Sequence, residues 1–262
     1  MYSLEHITYL KKIKKNKFLI RLTQILIFIT FIIIWQILAD KELINTFIFS
    51  IPKKVIDCII NLHTKGNLYN NILVTVWETI FSFLLGTLIG IIIASIMWWN
   101  KFIAKVIDPY LTIVNSLPKV ALGPIIIIWA GAGMKSIILM ALLISVVVTI
   151  ISVYQGFIET DPIKIKLMKT LGANKLQIYT KLILPCSIPN IISALKINIS
   201  MSLIGVIMGE FLVSKEGIGY LIMYGSQVFN LDLVISGIFI LCVVATVMYY
   251  IILLIEKKLV KN

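Results

Sequence analysis

The sequence has 262 residues, 60% of them hydrophobic and 14% charged, with a net charge of +12 from 24 basic and 12 acidic residues. A soluble domain carries roughly 25% charged and 45–50% apolar residues, so this composition excludes an ordinary soluble fold and points to the bilayer. The lysines flank apolar runs instead of forming one polar face, which argues against a nucleic-acid partner and for basic loops retained on the cytosolic side. Cys58, Cys186 and Cys242 lie far apart with no CxxC spacing, and His6 and His63 sit in polar segments. Neither a disulfide framework nor a metal or cofactor site is expected from them.

Residues 1–17 form a basic N-terminal segment carrying Lys11, Lys12, Lys14, Lys15 and Lys17. The apolar run from Phe18 to Ala39 follows, interrupted only by Arg21, Thr23, Gln24, Thr30 and Gln36. At about 1.5 Å per helical residue it reaches about 33 Å, enough for a hydrocarbon core of about 30 Å. A signal-peptide apolar region is only about 7–15 residues long, so a retained first span is expected. Ser50-Ile51-Pro52 opens a short amphipathic helix over Val55 to Leu62.

Further spans are expected at 72–98, 105–130, 136–157, 184–213 and 231–255. The fold class is therefore all-α, a polytopic helix bundle of about six spans in one membrane domain, 18–262. Ser82, Gly86, Gly90 and Ala94, each four apart, give the second span a small-residue face for close helix packing. Within the chain is the default reading of that packing, and a subunit interface the other. Pro118 and Pro124 interrupt the third span, and a broken helix can line a permeation path. Gly131-Ala132-Gly133-Met134-Lys135-Ser136 superficially resembles a phosphate-binding loop, but Met134 stands where glycine is needed before the lysine. No ATPase site is visible in the chain.

With the N-terminus inside, 16 lysines and arginines fall on the cytosolic side, Lys257, Lys258 and Lys261 among them, and 6 outside; Lys119 and Lys196 lie within spans. The bias places both termini in the cytosol. Glu78, Lys119, Lys196 and Glu210 are ionisable groups in apolar segments, which usually face a cavity or a partner. Glu78 and Lys119 fall close enough to span ends to lie near a membrane surface. Lys196 sits about twelve residues into its span, and Glu210 near the outer end of the same span. Pro118, Pro124, Lys196 and Glu210 are candidates for the translocation path or for structural roles.

The cytosolic loop 158–183 is the most informative segment. Asp161 can cap a helix whose first position is Pro162, where a missing N–H costs nothing. Ile163, Leu167, Met168 and Leu171 recur at helical spacing, Lys164, Lys166 and Lys169 lie largely off that face, and Gly172 can end the helix in a left-handed conformation. Such a helix either lies on lipid headgroups or docks a soluble partner.

Gly172 is followed by nine residues and then Leu182-Ile183-Leu184-Pro185, with Pro189 four further on. This resembles the signature loop of binding-protein-dependent ABC importer permeases: Glu-Ala-Ala, three residues, Gly, nine residues, Ile-x-Leu-Pro. The resemblance extends over a core of about 70–255. Leu117-Pro118-x-x-Ala121-Leu122-Gly123-Pro124 with Trp129-Ala130-Gly131, and Gly209-Glu210-Phe211 with Glu216-Gly217-Ile218-Gly219-Tyr220, are similar to the nitrate, sulfonate and taurine branch. Lys166-Leu167-Met168 stands where Glu-Ala-Ala is usual, Ala130 replaces a Phe, and Lys196 stands where an Arg is common.

The resemblance implies a type I permease fold in a bacterial inner membrane, working as a dimer, with a second permease copy as partner. The other implied partners are cytosolic ATP-binding subunits and an extracytoplasmic substrate-binding protein. It implies an ATPase-coupling loop formed by Asp161, Ile163, Lys166, Leu167, Met168, Leu171, Gly172, Leu184 and Pro185. No catalytic residue and no cofactor are implied; the chain would pass a small solute such as a sulfonate, taurine or nitrate-like anion. An ion-coupled secondary transporter is the alternative. It would require paired intramembrane acidic residues and an internal repeat, and the sequence displays neither.

Overall fold

The computed structural model describes residues 4–259, and every element among them is helical. The chain begins with α1 (Leu4–Asp40), α2 (Thr46–Phe49), α3 (Pro52–Thr64), α4 (Asn67–Trp99), α5 (Lys101–Ser116) and α6 (Gly123–Ala130). It continues with α7 (Met134–Ile158), α8 (Pro162–Thr170), α9 (Lys175–Ile178), α10 (Leu184–Val213), α11 (Ile218–Gln227) and α12 (Leu231–Leu259). Lys261, assigned above to the cytosolic side, lies outside the described residues, as does the side chain of Lys258.

The bundle is organised around α7, which lies between α4 and α10. Small residues decide this. Ser82, Gly86, Gly90 and Ala94 are all buried on α4. A methyl group placed on Gly90 would come 2.5 Å from Cγ2 of Thr149, and one on Gly86 2.9 Å from Oγ of Ser145. On the other side of α7, a methyl on Gly205 of α10 would lie 2.4 Å from Cα of Ala141. In lipid, where apolar surface gains nothing from leaving water, such close backbone approach is what holds helices together. The small-residue face of α4 is thus intrachain packing. Asn198 of α10 adds a polar tie to α4, donating to Oγ1 of Thr87 at 2.7 Å.

Five helices are long and apolar enough to cross a membrane singly, and a bent pair supplies a sixth span. That pair covers the span expected over 105–130 and is broken at Pro118, as the sequence implied. α5 and α6 meet at an 89° break, with Pro118 preceding a 3-10 turn at Lys119–Leu122. Pro124 does not interrupt anything: it lies in the first turn of α6, where an amide would have no helical partner. Pro109 lies inside α5, and the sequence reading did not weigh it.

Two further elements differ from expectation. The connection 214–230 holds a helix of its own, α11, packed against α12. Pro185 does not start the fifth span: the helix begins at α9 and passes through a π turn at Tyr179–Ile183 into α10. The wider turn lets Leu184 donate to the Tyr179 carbonyl, five residues back, and the helix tolerates the proline that follows. The amphipathic helix after Ser50 is present as α3, its Val55 buried and its Val55 carbonyl bonded by Ser236 of α12. α1 is largely uncovered by the bundle: most of its apolar stretch is exposed, and only its C-terminal end, at Ala39, is buried. An all-round apolar helix of this kind is solvated by lipid.

Candidate functional site

α8 is built as its sequence implies. Oδ1 of Asp161 accepts from the Ile163 amide at 2.8 Å, and Pro162 occupies the first position. Gly172 has φ +78°, and the next amide, of Ala173, reaches back to the Met168 carbonyl at 3.0 Å. This left-handed termination suits glycine because a Cβ there is strained. The expected apolar face, however, divides in two. Met168 turns inward with Ile165 against Val153, Phe157, Ile178 and Ile183. Ile163, Leu167 and Leu171 point outward, at 74%, 58% and 73% exposure. Positions 163, 167 and 171 share a helical side, whereas 165 and 168 lie across from it. Ile165 therefore replaces Ile163 in the packing face, and Met168 leaves the set of free anchors. Lys166 is exposed, Leu184 half-buried in the same cluster, and Pro185 exposed on α10.

Far from α8, at the other end of the bundle, lies a buried polar cluster. The first amides of α11 have no partner within their own helix, and side chains from α4 and α10 supply them. The Gly217 amide donates to Oδ1 of Asn71 at 2.7 Å and the Ile218 amide to Oγ1 of Thr75 at 2.8 Å. The Gly219 amide donates to Oε2 of Glu210 at 2.5 Å, and the Tyr220 amide points to the same carboxyl. Thr75 in turn donates to Oε1 of Glu210 at 2.6 Å. Glu210 is 1% exposed, and the three donors Thr75, Gly219 and Tyr220 offset its burial. The Gly-x-Gly pattern is steric: a Cβ on Gly217 would lie 2.4 Å from Cδ of Glu210, and one on Gly219 2.7 Å from Oε2.

Glu78 is also buried within the protein. Its carboxyl meets that of Glu210, and its Oε2 has no hydrogen-bond partner among the described residues. The paired intramembrane acids that the sequence did not display are thus present in the fold. They were invisible because 132 positions separate the two. Asn71 and Thr75 were missed as well; their signal was a polar i, i+4 series, Asn71, Thr75 and Thr79, inside an apolar run.

The remaining candidates separate clearly. Lys196 forms an ion pair with Glu256 of α12 at 2.7 Å. Lys119 sits at the α5–α6 break, reaching only Oδ1 and the carbonyl of Asn115, each at 3.3 Å. Beyond Pro118 and Pro124, Ile128 and Trp129 are 80% and 82% exposed, an apolar flank left uncovered among the described residues.

Residues 86–261 match the family described as the binding-protein-dependent transport system inner membrane component. The chain belongs to that family. This permease is 31% identical over 220 residues to a probable ABC transporter permease protein of Haemophilus influenzae, covering 84% of this chain and 89% of that one. It is 26% identical to the aliphatic sulfonates transport permease protein SsuC of Bacillus subtilis, over 88% of this chain and 83% of the relative. It is equally 26% identical to the formylaminopyrimidine transport permease protein ThiX of Halalkalibacterium halodurans, over 74% and 77%. A solved chain of the inward-facing MetNI methionine ABC transporter shares the fold, with a TM-score of 0.66 at 17% identity, covering 76% of this chain and 96% of that one. The permease is a multi-pass inner-membrane subunit of an ABC importer, not itself an enzyme, and the family works with ATPase and binding-protein partners. The acidic pair then reads as the cap of α11 rather than as ion-coupling machinery.

Proposed function

We propose that this permease lies with both termini in the cytosol, pairs with a second copy of itself, and offers α8 to a cytosolic ATP-binding subunit. It passes a small organic anion of the sulfonate class, delivered by an external binding protein. The observation that carries the reading is the exposed stripe Ile163, Leu167 and Leu171 on a helix capped at both ends and pinned by Met168 and Ile165. Three apolar residues at i, i+4 and i+8 on a short rigid helix fit a groove on a soluble partner. Lys166 beside that stripe makes the contact basic where the family usually carries an acid, so the groove it meets is acidic or neutral. Lysine asymmetry puts α8 on the cytosolic side.

ATP-driven closure of the partner pair moves α8 and, through the continuous helix of α9 and α10, rocks α10 against α7. The path runs beside the break between α5 and α6, where the half-buried Lys119 follows Pro118 and attracts an anion, and the exposed Ile128 and Trp129 meet the second copy. The sulfonate class draws support from SsuC and from the charge of Lys119; selection rests mainly with the binding protein.

The deciding experiment measures copurification of the ATP-binding subunit together with uptake, for Leu167→Asp. Membrane insertion is expected to be unchanged, while ATPase retention and uptake both fall. Full retention and uptake in this variant would defeat the docking role. The ligand that the neighbouring binding protein retains tests the substrate: a sulfonate supports the anion reading, and a neutral pyrimidine overturns it.

A further inference from the structure

The end of the bundle that carries α8 also encloses a cavity of about 990 Å3, bounded by α8, the last turn of α4, the start of α5 and the end of α7. Trp98, Trp99 and Tyr154 line it, and Lys101, Lys169 and Lys175 reach it. It continues along α5 into a second hollow of about 460 Å3 that adds Lys105, Asp108 and the apolar Leu111 and Ile151. Four lysines face one carboxylate. Glu159, close by in sequence, is occupied by Gln155 and Asn190. Lys175 is held over the Trp99 ring and donates to the Trp99 carbonyl. Lys101 and Lys169 have no acidic partner among the described residues. Thr160, another lining residue, is 7% exposed, and its hydroxyl has no hydrogen-bond partner among them.

An unpartnered buried hydroxyl costs free energy, and Thr160 lines the same cavity as Lys101, Lys169 and Lys175. Tryptophan and tyrosine mark the level of the membrane–water interface, and basic pockets between spanning helices receive acidic lipid headgroups. We propose that this trough binds the phosphate of an acidic phospholipid. Lys101 and Lys169 hold the phosphate charge, the Thr160 hydroxyl donates to a phosphate oxygen, and an acyl chain runs past Leu111 and Ile151. Because α8 forms one wall, the bound headgroup braces the loop helix against α5. The inference needs only that this end lies at a bilayer surface; it stands whichever partner α8 meets.

The test uses the full-length permease purified with its ATP-binding subunit and mixed with phosphatidylglycerol or phosphatidylcholine, retained lipid being counted by native mass spectrometry. Phosphatidylglycerol is expected to stay bound and phosphatidylcholine to be lost. Lys101→Gln with Lys169→Gln, both exposed positions, is expected to cut phosphatidylglycerol retention about tenfold or more. Thr160→Val alone is expected to cut it about threefold, and serves if the double variant does not purify. Equal retention of the two lipids, or retention unaffected by the substitutions, overturns the proposal. Displacement by inorganic phosphate as readily as by short-chain phosphatidylglycerol also overturns it, because the site then takes a free anion.

Discussion

Glu210 is the residue on which most of one end depends. Its two oxygens receive Thr75 and the α11 amides, so Glu210→Gln replaces one acceptor with a donor facing donors. Leaving a buried donor unmatched costs about 1–3 kcal/mol. The variant is expected to unfold at lower temperature and to exchange the amides of α11 faster, measured by hydrogen exchange in detergent. Glu78→Gln is expected to be milder, because Oε2 of Glu78 already has no partner. Gly217→Ala should be worse than either: φ is +107° and the new methyl would lie 2.4 Å from the Glu210 carboxyl. Normal stability of Gly217→Ala would show that α11 does not sit on this carboxylate.

At the scale of the helix, α8 and α4 make opposite demands. The two apolar sides of α8 should respond separately to truncation. Met168→Ala removes packing against Phe157 and Ile183 and is expected to lower the melting temperature of the isolated permease. Leu167→Ala should leave that temperature unchanged and weaken only partner retention. Equal stability losses in both would mean that α8 is buried on both sides. In α4 the demand is steric. A methyl on Gly90 meets Thr149 at 2.5 Å, whereas the Gly86 methyl meets a serine hydroxyl that can rotate. Gly90→Ala is therefore expected to cost about 1–3 kcal/mol by overpacking and Gly86→Ala less, read as the melting temperatures of the two variants. Leucine at either position should reduce folded yield on gel filtration.

Across the whole molecule, the two ends of the bundle differ in charge as well as in contents. The α8 end carries Lys101, Lys105, Lys164, Lys166, Lys169, Lys175 and Lys181; the α11 end carries Lys53, Lys54, Lys65, Lys135 and Lys215. Together with the lysines in the N-terminal half of α1, the asymmetry predicts sidedness. Single cysteines replacing Lys65 or Lys215, in a chain lacking Cys58, Cys186 and Cys242, should react with an impermeant thiol reagent applied from outside. Cysteines replacing Lys12 or Lys164 should react only after permeabilisation. Reaction at 164 from outside would invert the molecule and remove α8 from any cytosolic ATPase.

What could be read from the sequence was whatever depends on local pattern. Long apolar runs make spans, because the bilayer demands them at a set length. Asp161-Pro162 and Gly172 bound a helix, because caps and left-handed turns are made by neighbouring residues. The small-residue series on α4 announced close packing through its fourfold spacing alone, and the loop motif carried the family. The tertiary structure decided what depends on residues far apart in the chain. It paired Glu78 with Glu210 and Lys196 with Glu256, and it gave α11 a cap borrowed from α4 and α10. It also turned Met168 inward while leaving Leu167 free, because which side of a short helix is covered depends on the neighbours that reach it. The break at Pro118 lay between these cases. A proline marks where a helix can stop, but the 89° bend follows from where α6 finds its packing against α7.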